Sequence, residues 1–192
     1  MIDELKPHRL RRQGSEKALL CLAGGRRSDL QTALRADALG EMLTRSGSAA
    51  QLWQVCQHGQ PVAAAMVVPS AGRVGIVFHS PAGAPGVVPA ALSAVLRAAA
   101  DAALADGLAF VQSLISPSHN DDADALVAAG FTRLAELVYM HRDLAVAIGP
   151  QEVADVQWQS CRGMAPGELG QVIFATYEDS LDCPALSGLR SP

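Results

Sequence analysis

The period at which apolar residues recur changes twice along this chain, from helical to extended and back, and that order leaves few architectures open. Residues 16–23 (EKALLCLA) read as a short helix stopped by Gly24–Gly25, where glycine admits the positive φ of a helix C-terminus. Ser28 is the expected N-cap of a second helix. Its apolar stripe is Leu30, Leu34, Leu39 and Leu43, with Ala33 and Ala38 between, and Ser46–Gly47–Ser48 ends it. Residues 51–57 (QLWQVCQ) then alternate, setting Leu52 apart from Trp53 and Val55. His58–Gly59–Gln60 reads as a turn, 61–69 (PVAAAMVVP) is apolar almost throughout, Ser70–Ala71–Gly72 is a second turn, and 73–80 (RVGIVFHS) is a third strand.

The helical period returns in Val88, Leu92, Val95, Leu96, Ala99, Ala103 and Leu104 and stops at Asp106–Gly107. Residues 108–116 (LAFVQSLIS) read as a buried strand and 121–129 as a helix closed by Gly130. Residues 131–144 read as two short extended segments around Leu137–Met140. Helices, three antiparallel strands, helix, strand, helix, strand predict an α+β fold with a mixed, mainly antiparallel central sheet flanked by helices. Past Ala147 the pattern thins. Residues 148–150 are linker-like, 153–160 alternate like a strand, 168–177 are helical, and this remnant is too short to close a core.

Composition sets the outer limits. The chain has 192 residues, 49% of them hydrophobic but only 4% aromatic, so its core is expected to be aliphatic. A formal net charge of -4 gives no general attraction for nucleic acid or for an anionic membrane. The exception is a basic N-terminal arm over residues 1–14 (Lys6, His8, Arg9, Arg11, Arg12), read as solvated. Cys21, Cys56, Cys161 and Cys183 are widely spaced with no C-x-x-C pair, which speaks for reduced thiols rather than a zinc site or a disulfide scaffold. No run approaches the roughly 18 apolar residues of a membrane helix, and no leader pattern follows Met1. A cytoplasmic protein without a metal is expected.

The segment Ala128–Ala129–Gly130–Phe131–Thr132–Arg133–Leu134, followed by Leu137–Val138–Tyr139–Met140–His141–Arg142–Asp143–Leu144, resembles the end of the GNAT superfamily of N-acetyltransferases, where a helix breaks at a Gly-Phe pair and two strands complete the sheet. The resemblance covers residues 15–147. Residues 173–184 (IFATYEDSLDCP), with a strand before them, are similar to the opening of a second such unit in tandem GNAT proteins. On that resemblance residues 148–192 are a linker and an incomplete start of a second unit.

The resemblance implies an α+β, acyl-CoA N-acetyltransferase-like fold, acetyl-CoA as acyl donor, and a small-molecule or peptide amine as acceptor. Such chemistry needs backbone N–H groups around the pyrophosphate, a splayed strand edge for the pantetheine, and a route for the amine's proton. It places the strand edge at Val77 and Phe78 and the phosphate turn in residues 80–89 (SPAGAPGVVP), with Gly83, Gly86 and Val87 as donors. The family's usual Gln/Arg-x-x-Gly-x-Gly/Ala lacks its first residue here, and Pro81, Pro85 and Pro89 carry no N–H. The tyrosine that many members place five residues before the Phe is Leu126 in this chain, so no general acid is assigned.

Other candidates rest on residue type. His79 ends a strand beside the turn and can serve as a base near neutral pH, or simply cap the strand. Residues 118–122 (SHNDD) gather Ser, His and carboxylates, but adjacent residues do not make a triad, and helix capping by Ser118 or Asn120 explains them better. Glu41 or Glu136 can orient an amine, Tyr139 reads as a core or interface aromatic, and Tyr177, Glu178 and Asp182, beside Cys183, form a candidate acceptor-side cluster. Against the enzyme stands a non-catalytic unit of the same fold that has lost its cofactor and serves as a scaffold or dimerisation domain. A homodimer is accordingly among the candidate partners.

Overall fold

A computed structural model describes residues 5–10, 15–141, 143, 145 and 160–176. By contact density the chain falls into two compact units, Met1–Arg133 and Leu134–Pro192.

The first unit runs β1 (His8–Leu10), α1 (Glu16–Leu22), α2 (Leu30–Arg45), a single 3-10 turn at Gly47–Ala49, β2 (Gln51–Gln57), β3 (Gln60–Ser70), β4 (Val74–His79), α3 (Pro89–Ala105), β5 (Phe110–Gln112) and α4 (Asn120–Ala128). The sheet order is β1-β2-β3-β4-β5, antiparallel throughout except for the parallel pair β4–β5. The expected α+β fold with a mixed, mainly antiparallel sheet flanked by helices is therefore what forms. His58 and Gly59 both hold positive φ, the conformation of a two-residue hairpin turn whose twist matches its strands.

Side-chain alternation along β3 feeds two cores. Ala63, Ala65 and Val67 face Leu92, Val95, Leu96, Ala99 and Ala103 of α3 and Ala125 and Leu126 of α4. Ala64 and Met66 face Ala18, Leu19 and Leu22 of α1 and Ala36 and Leu43 of α2. A strand buried on both faces reads as a continuous apolar run, which is why 61–69 shows no alternation. Pro61 is tolerated there because it pairs at a register shift between Val55 and Cys56, where the ladder is already interrupted.

Several expectations are corrected. The N-cap of α2 is Asp29, not Ser28, and its carboxylate accepts the Thr32 N–H at 2.9 Å. Leu30 and Leu34 lie outward, and the buried face is Thr32, Ala36 and Leu43. Small residues let α1 approach: a Cβ on Gly40 would lie 3.4 Å from Leu19 Cδ1, so the helix is turned to present Ala36 and Gly40 rather than Leu30 and Leu34. Strand β5 covers three residues instead of 108–116. Neither Ser118 nor Asn120 caps α4; His119 holds the N-cap position without a side-chain cap bond, and Ser118 Oγ pairs with Ser116 Oγ at 2.9 Å. Residues 8–10, inside the stretch read as a basic arm, form β1, its Leu10 set opposite Leu52.

The two closing segments do not form as strands among described residues 131–141. Phe131 packs on the α3-side core, but Tyr139 is 81% and Met140 91% exposed. Extended backbone becomes a strand only when a neighbouring strand pairs with it, and described residues 131–141 enter none of the strand pairings of the sheet. Tyr139 is thus not a core aromatic. In the second unit the described residues form one helix, α5 (Pro166–Ala175), in place of the expected 168–177. The strand expected at 153–160 lies, except for Ser160, outside the described residues.

Candidate functional site

The parallel pair β4–β5 is short. Its register runs from Val74 opposite Phe110 to Ile76 opposite Gln112 and stops, whereas β4 stays paired with β3 as far as His79 opposite Ala65. Beyond Ile76 no described residue continues the ladder on the β5 side of β4, and Ser113 Oγ donates to Val77 O at 3.3 Å. An unpaired strand edge next to a helix N-terminus offers backbone donors and acceptors to an extended ligand. Val77, on the α3 side, is buried; Phe78 packs with the α1–α2 core.

Ser80 follows β4 and locks its end to β3. Its Oγ accepts the Ala64 N–H at 2.9 Å and donates to Ala64 O at 3.3 Å, so the Cys21 thiol, 3.2 Å away, is the donor to the remaining lone pair. His79 Nδ1 lies 3.0 Å from Ser80 O. A carbonyl only accepts, so Nδ1 carries the hydrogen of this bond.

Most amides of the turn between β4 and α3 already have an acceptor within the protein. Ala84 N–H goes to Pro81 O, Val87 N–H to Ala84 O, and Val88 N–H to Val62 O. Ala82 N–H goes to Asp122 Oδ1 at 2.6 Å. With Pro81, Pro85 and Pro89 lacking the hydrogen, Gly83 and Gly86 remain as the amides of the turn without an internal acceptor. Gly86 needs its glycine, with φ at +86°. The turn is also wedged from the other side: Gly24, at φ +87°, would place a Cβ 3.0 Å from Pro81 Cγ. The Gly24–Gly25 break thus ends α1 and seats the turn as well.

Of the three expected donors, Val87 gives its N–H to Ala84 O, whereas Gly83 and Gly86 have no acceptor among the described residues. Leu126 is a buried core residue, which leaves no proton donor where the tyrosine would stand. Residues 118–122 make no triad, since Ser118 bonds Ser116 while Asp122 serves the turn. Glu41 lines a groove of about 770 Å³ between α1 and α2 with Asp37, Arg27 and Arg45, and no residue of β4, β5 or the turn lines it. Arg27 there is engaged by Glu16 at 2.8 Å. Tyr177, Glu178, Asp182 and Cys183 lie outside the described residues.

The roles that the pattern failed to show are those of Asp122, Ser80 and Cys21. Each acts across a long sequence separation, and the only local signal was the Asp121–Asp122 pair, which also fits a helix N-terminus. Burial pushes the Cys21 thiol up, the Ser80 hydrogen bond partly offsets this, and the Cys56 thiol adds to the rise; burial likewise raises Cys56, against Lys17. Both are protonated thiols at neutral pH, not nucleophilic thiolates. A folded-state pKa above the unfolded value means that the stabilisation is complete below the unfolded thiol's pKa and is lost as pH rises through the folded one. The melting temperature is expected to fall above about pH 8.5, and Cys21→Ala to flatten that fall; an unchanged slope in the variant would refute the assignment.

Among the described residues no group of three His, Cys, Asp or Glu side chains is placed to hold a metal, and no helix is long and apolar enough to cross a membrane. No protein-family model matches the sequence, and no curated protein matches it. Among solved structures, the chain is similar to a GNAT-family acetyltransferase from Colwellia psychrerythraea, at TM-score 0.49 and 15% identity over 67% of this chain and 46% of that one. It thus spans less than half of that protein. It is also similar to an acetyltransferase from Trypanosoma brucei, at TM-score 0.48 and 18% identity over 72% of this chain and 99% of that one. A predicted acetyltransferase from Clostridium acetobutylicum, in a crystal structure with acetyl-CoA, aligns at TM-score 0.43 and 12% identity over 71% of this chain and 95% of that one.

Proposed function

We propose that this chain is an acyltransferase unit that takes acetyl-CoA as acyl donor and a small-molecule or peptide amine as acceptor. The observation that carries the reading is the end of β4–β5 pairing at Ile76–Gln112, directly beside a glycine-containing turn at the head of α3. An open strand edge suits an amide-bearing pantetheine arm, and a turn at a helix N-terminus suits its diphosphate. The thioester supplies the acyl group: the carbon–sulfur bond breaks as the carbon–nitrogen bond forms. From this chain, Val77 and Phe78 would line the arm, Gly83 and Gly86 would donate to the diphosphate, and His79, at the end of β4, would take the amine's proton through Nε2. Tyr177, Glu178 and Asp182 are proposed for the acceptor side, where carboxylates favour a cationic amine. A cytoplasmic setting and an incomplete second unit in residues 148–192 belong to the same proposal.

Titrating the purified chain with acetyl-CoA tests it. A ligand bound only by the native state stabilises by about 2.7 kcal/mol at a hundredfold excess over its Kd. We expect a heat of binding and a raised melting temperature, both lost in Gly86→Pro, because proline cannot adopt the positive φ and removes the N–H. Absence of any response at millimolar acetyl-CoA would overturn the enzymatic reading. In that event the alternative, a non-catalytic scaffold or dimerisation domain of the same architecture, takes its place. It draws on the carboxylate already seated on the turn and on Leu126, and it expects a dimer or a partner-bound species in sedimentation.

A further inference from the structure

We infer that the Asp122 carboxylate is a built-in competitor for the anion that the β4–α3 turn receives, so that the turn is self-capped at rest. An acid at the third residue of a helix usually reaches back to its own N-cap amide. Asp122 stands at that position in α4, yet its Oδ1 takes the Ala82 N–H, 40 residues away in sequence, at 2.6 Å. Its Oδ2 lies 3.3 Å from His119 Nδ1. The residue is 7% exposed, so a charge has been drawn out of water and held by a backbone amide and the positive end of α4. A backbone amide pointing at an oxyanion beside a helix N-terminus is the arrangement that binds phosphate, and here the oxyanion is the protein's own.

Asp121 adds to the effect, since a Cβ on Gly83 would lie 4.0 Å from Asp121 Oδ2. One carboxylate thus holds the Ala82 amide and a second lies beside Gly83. An arriving phosphate must displace one and meet the repulsion of both. The rest of the turn need not rearrange, because Ala84 and Val87 keep their bonds within it and Val88 keeps its bond to Val62 O of β3. Rotation of one side chain is enough to expose a third donor beside Gly83 and Gly86.

The identity of the anion as the diphosphate of coenzyme A rests on the proposed function; the competition does not. The test is calorimetry on the full chain and on Asp122→Asn, which keeps an acceptor and the helical position but removes the charge. Three ligands are used: coenzyme A, inorganic diphosphate, and pantetheine, which has no phosphate. Asp122→Asn is expected to bind coenzyme A and diphosphate about tenfold or more tightly than the wild type, with pantetheine unchanged. Tightening for diphosphate alone sustains the inference and sinks the coenzyme A reading. Wild-type binding of coenzyme A that Asp122→Asn leaves equal or weaker overturns the inference and leaves the acyl-donor reading standing. A pantetheine gain equal to the coenzyme A gain, or no diphosphate binding by either protein, also overturns it. Asp122→Ser, with a side chain suited to a helix start, is the second variant should Asp122→Asn fail to fold.

Discussion

Met66→Ala is expected to lower the free energy of unfolding by about 3–5 kcal/mol, the upper part of the range for large-to-small core substitutions. Met66 is fully buried in the middle of β3 and is the largest of the wholly buried side chains. What decides the size of the loss is the company it keeps. The core around it is rich in alanine (Ala18, Ala23, Ala36, Ala50 and Ala64), and alanine has no rotamer with which to lean into a vacated space. The cavity should therefore persist. For a chain of this size each kcal/mol moves the melting temperature by about 2–4 °C, so a drop near 10 °C or more is anticipated in a thermal melt. Met66→Leu, which nearly conserves volume, should cost less than about 1.5 kcal/mol. Equal losses in the two variants would show that volume is not what Met66 contributes.

Ser80→Ala should cost about 1–3 kcal/mol, the usual penalty for stranding a buried hydrogen-bonding group. The hydroxyl satisfies Ala64 N–H and Cys21 Sγ–H together, and neither Ser80 nor Ala64 has any exposed surface. Alanine removes the acceptor without removing either donor. Amide hydrogen exchange gives the sharper readout, because Ala64 should lose protection beyond the global loss while Val67, bonded through the regular ladder, should not. If Ala64 and Val67 change by the same factor, the hydroxyl is not what holds the end of β4.

How much of this was legible beforehand follows the range over which each cause acts. Helices α1 to α4 and strands β2 to β4 came out because their periods are complete within a short window and their breaks are glycines with φ of about +60° to +100° (Gly24, Gly59, Gly72, Gly107, Gly130). The cap of α2 was missed by one residue because Ser28 and Asp29 are both good caps, and only the Thr32 geometry separates them. Leu30 and Leu34 misled because the packing partner, not the helix, chose the buried face. Strand β1 carries His8 and Arg9 and owes its existence to β2. At the candidate site the place was legible and its state was not. The glycines and prolines marked the turn, but that Ala82 is already answered by Asp122, and that Val87 is spent on Ala84, are facts of three-dimensional closure with no local signature.

The sheet order, in which every strand lies beside its neighbour in sequence, bears on how the chain finds this structure. The β2–β3–β4 meander closes through His58–Gly59 and Ala71–Arg73, the shortest loops in the sheet, so its ladders cost the least chain entropy to form. The outer strands pay more: β5 must wait for the α3 crossover, and β1 for α1 and α2. Contact order therefore rises outward from β3, and the meander is the natural nucleus on which the rest condenses. The open edge of β4 is made at the seam between the early, locally closed part of the sheet and its late-arriving parallel neighbour.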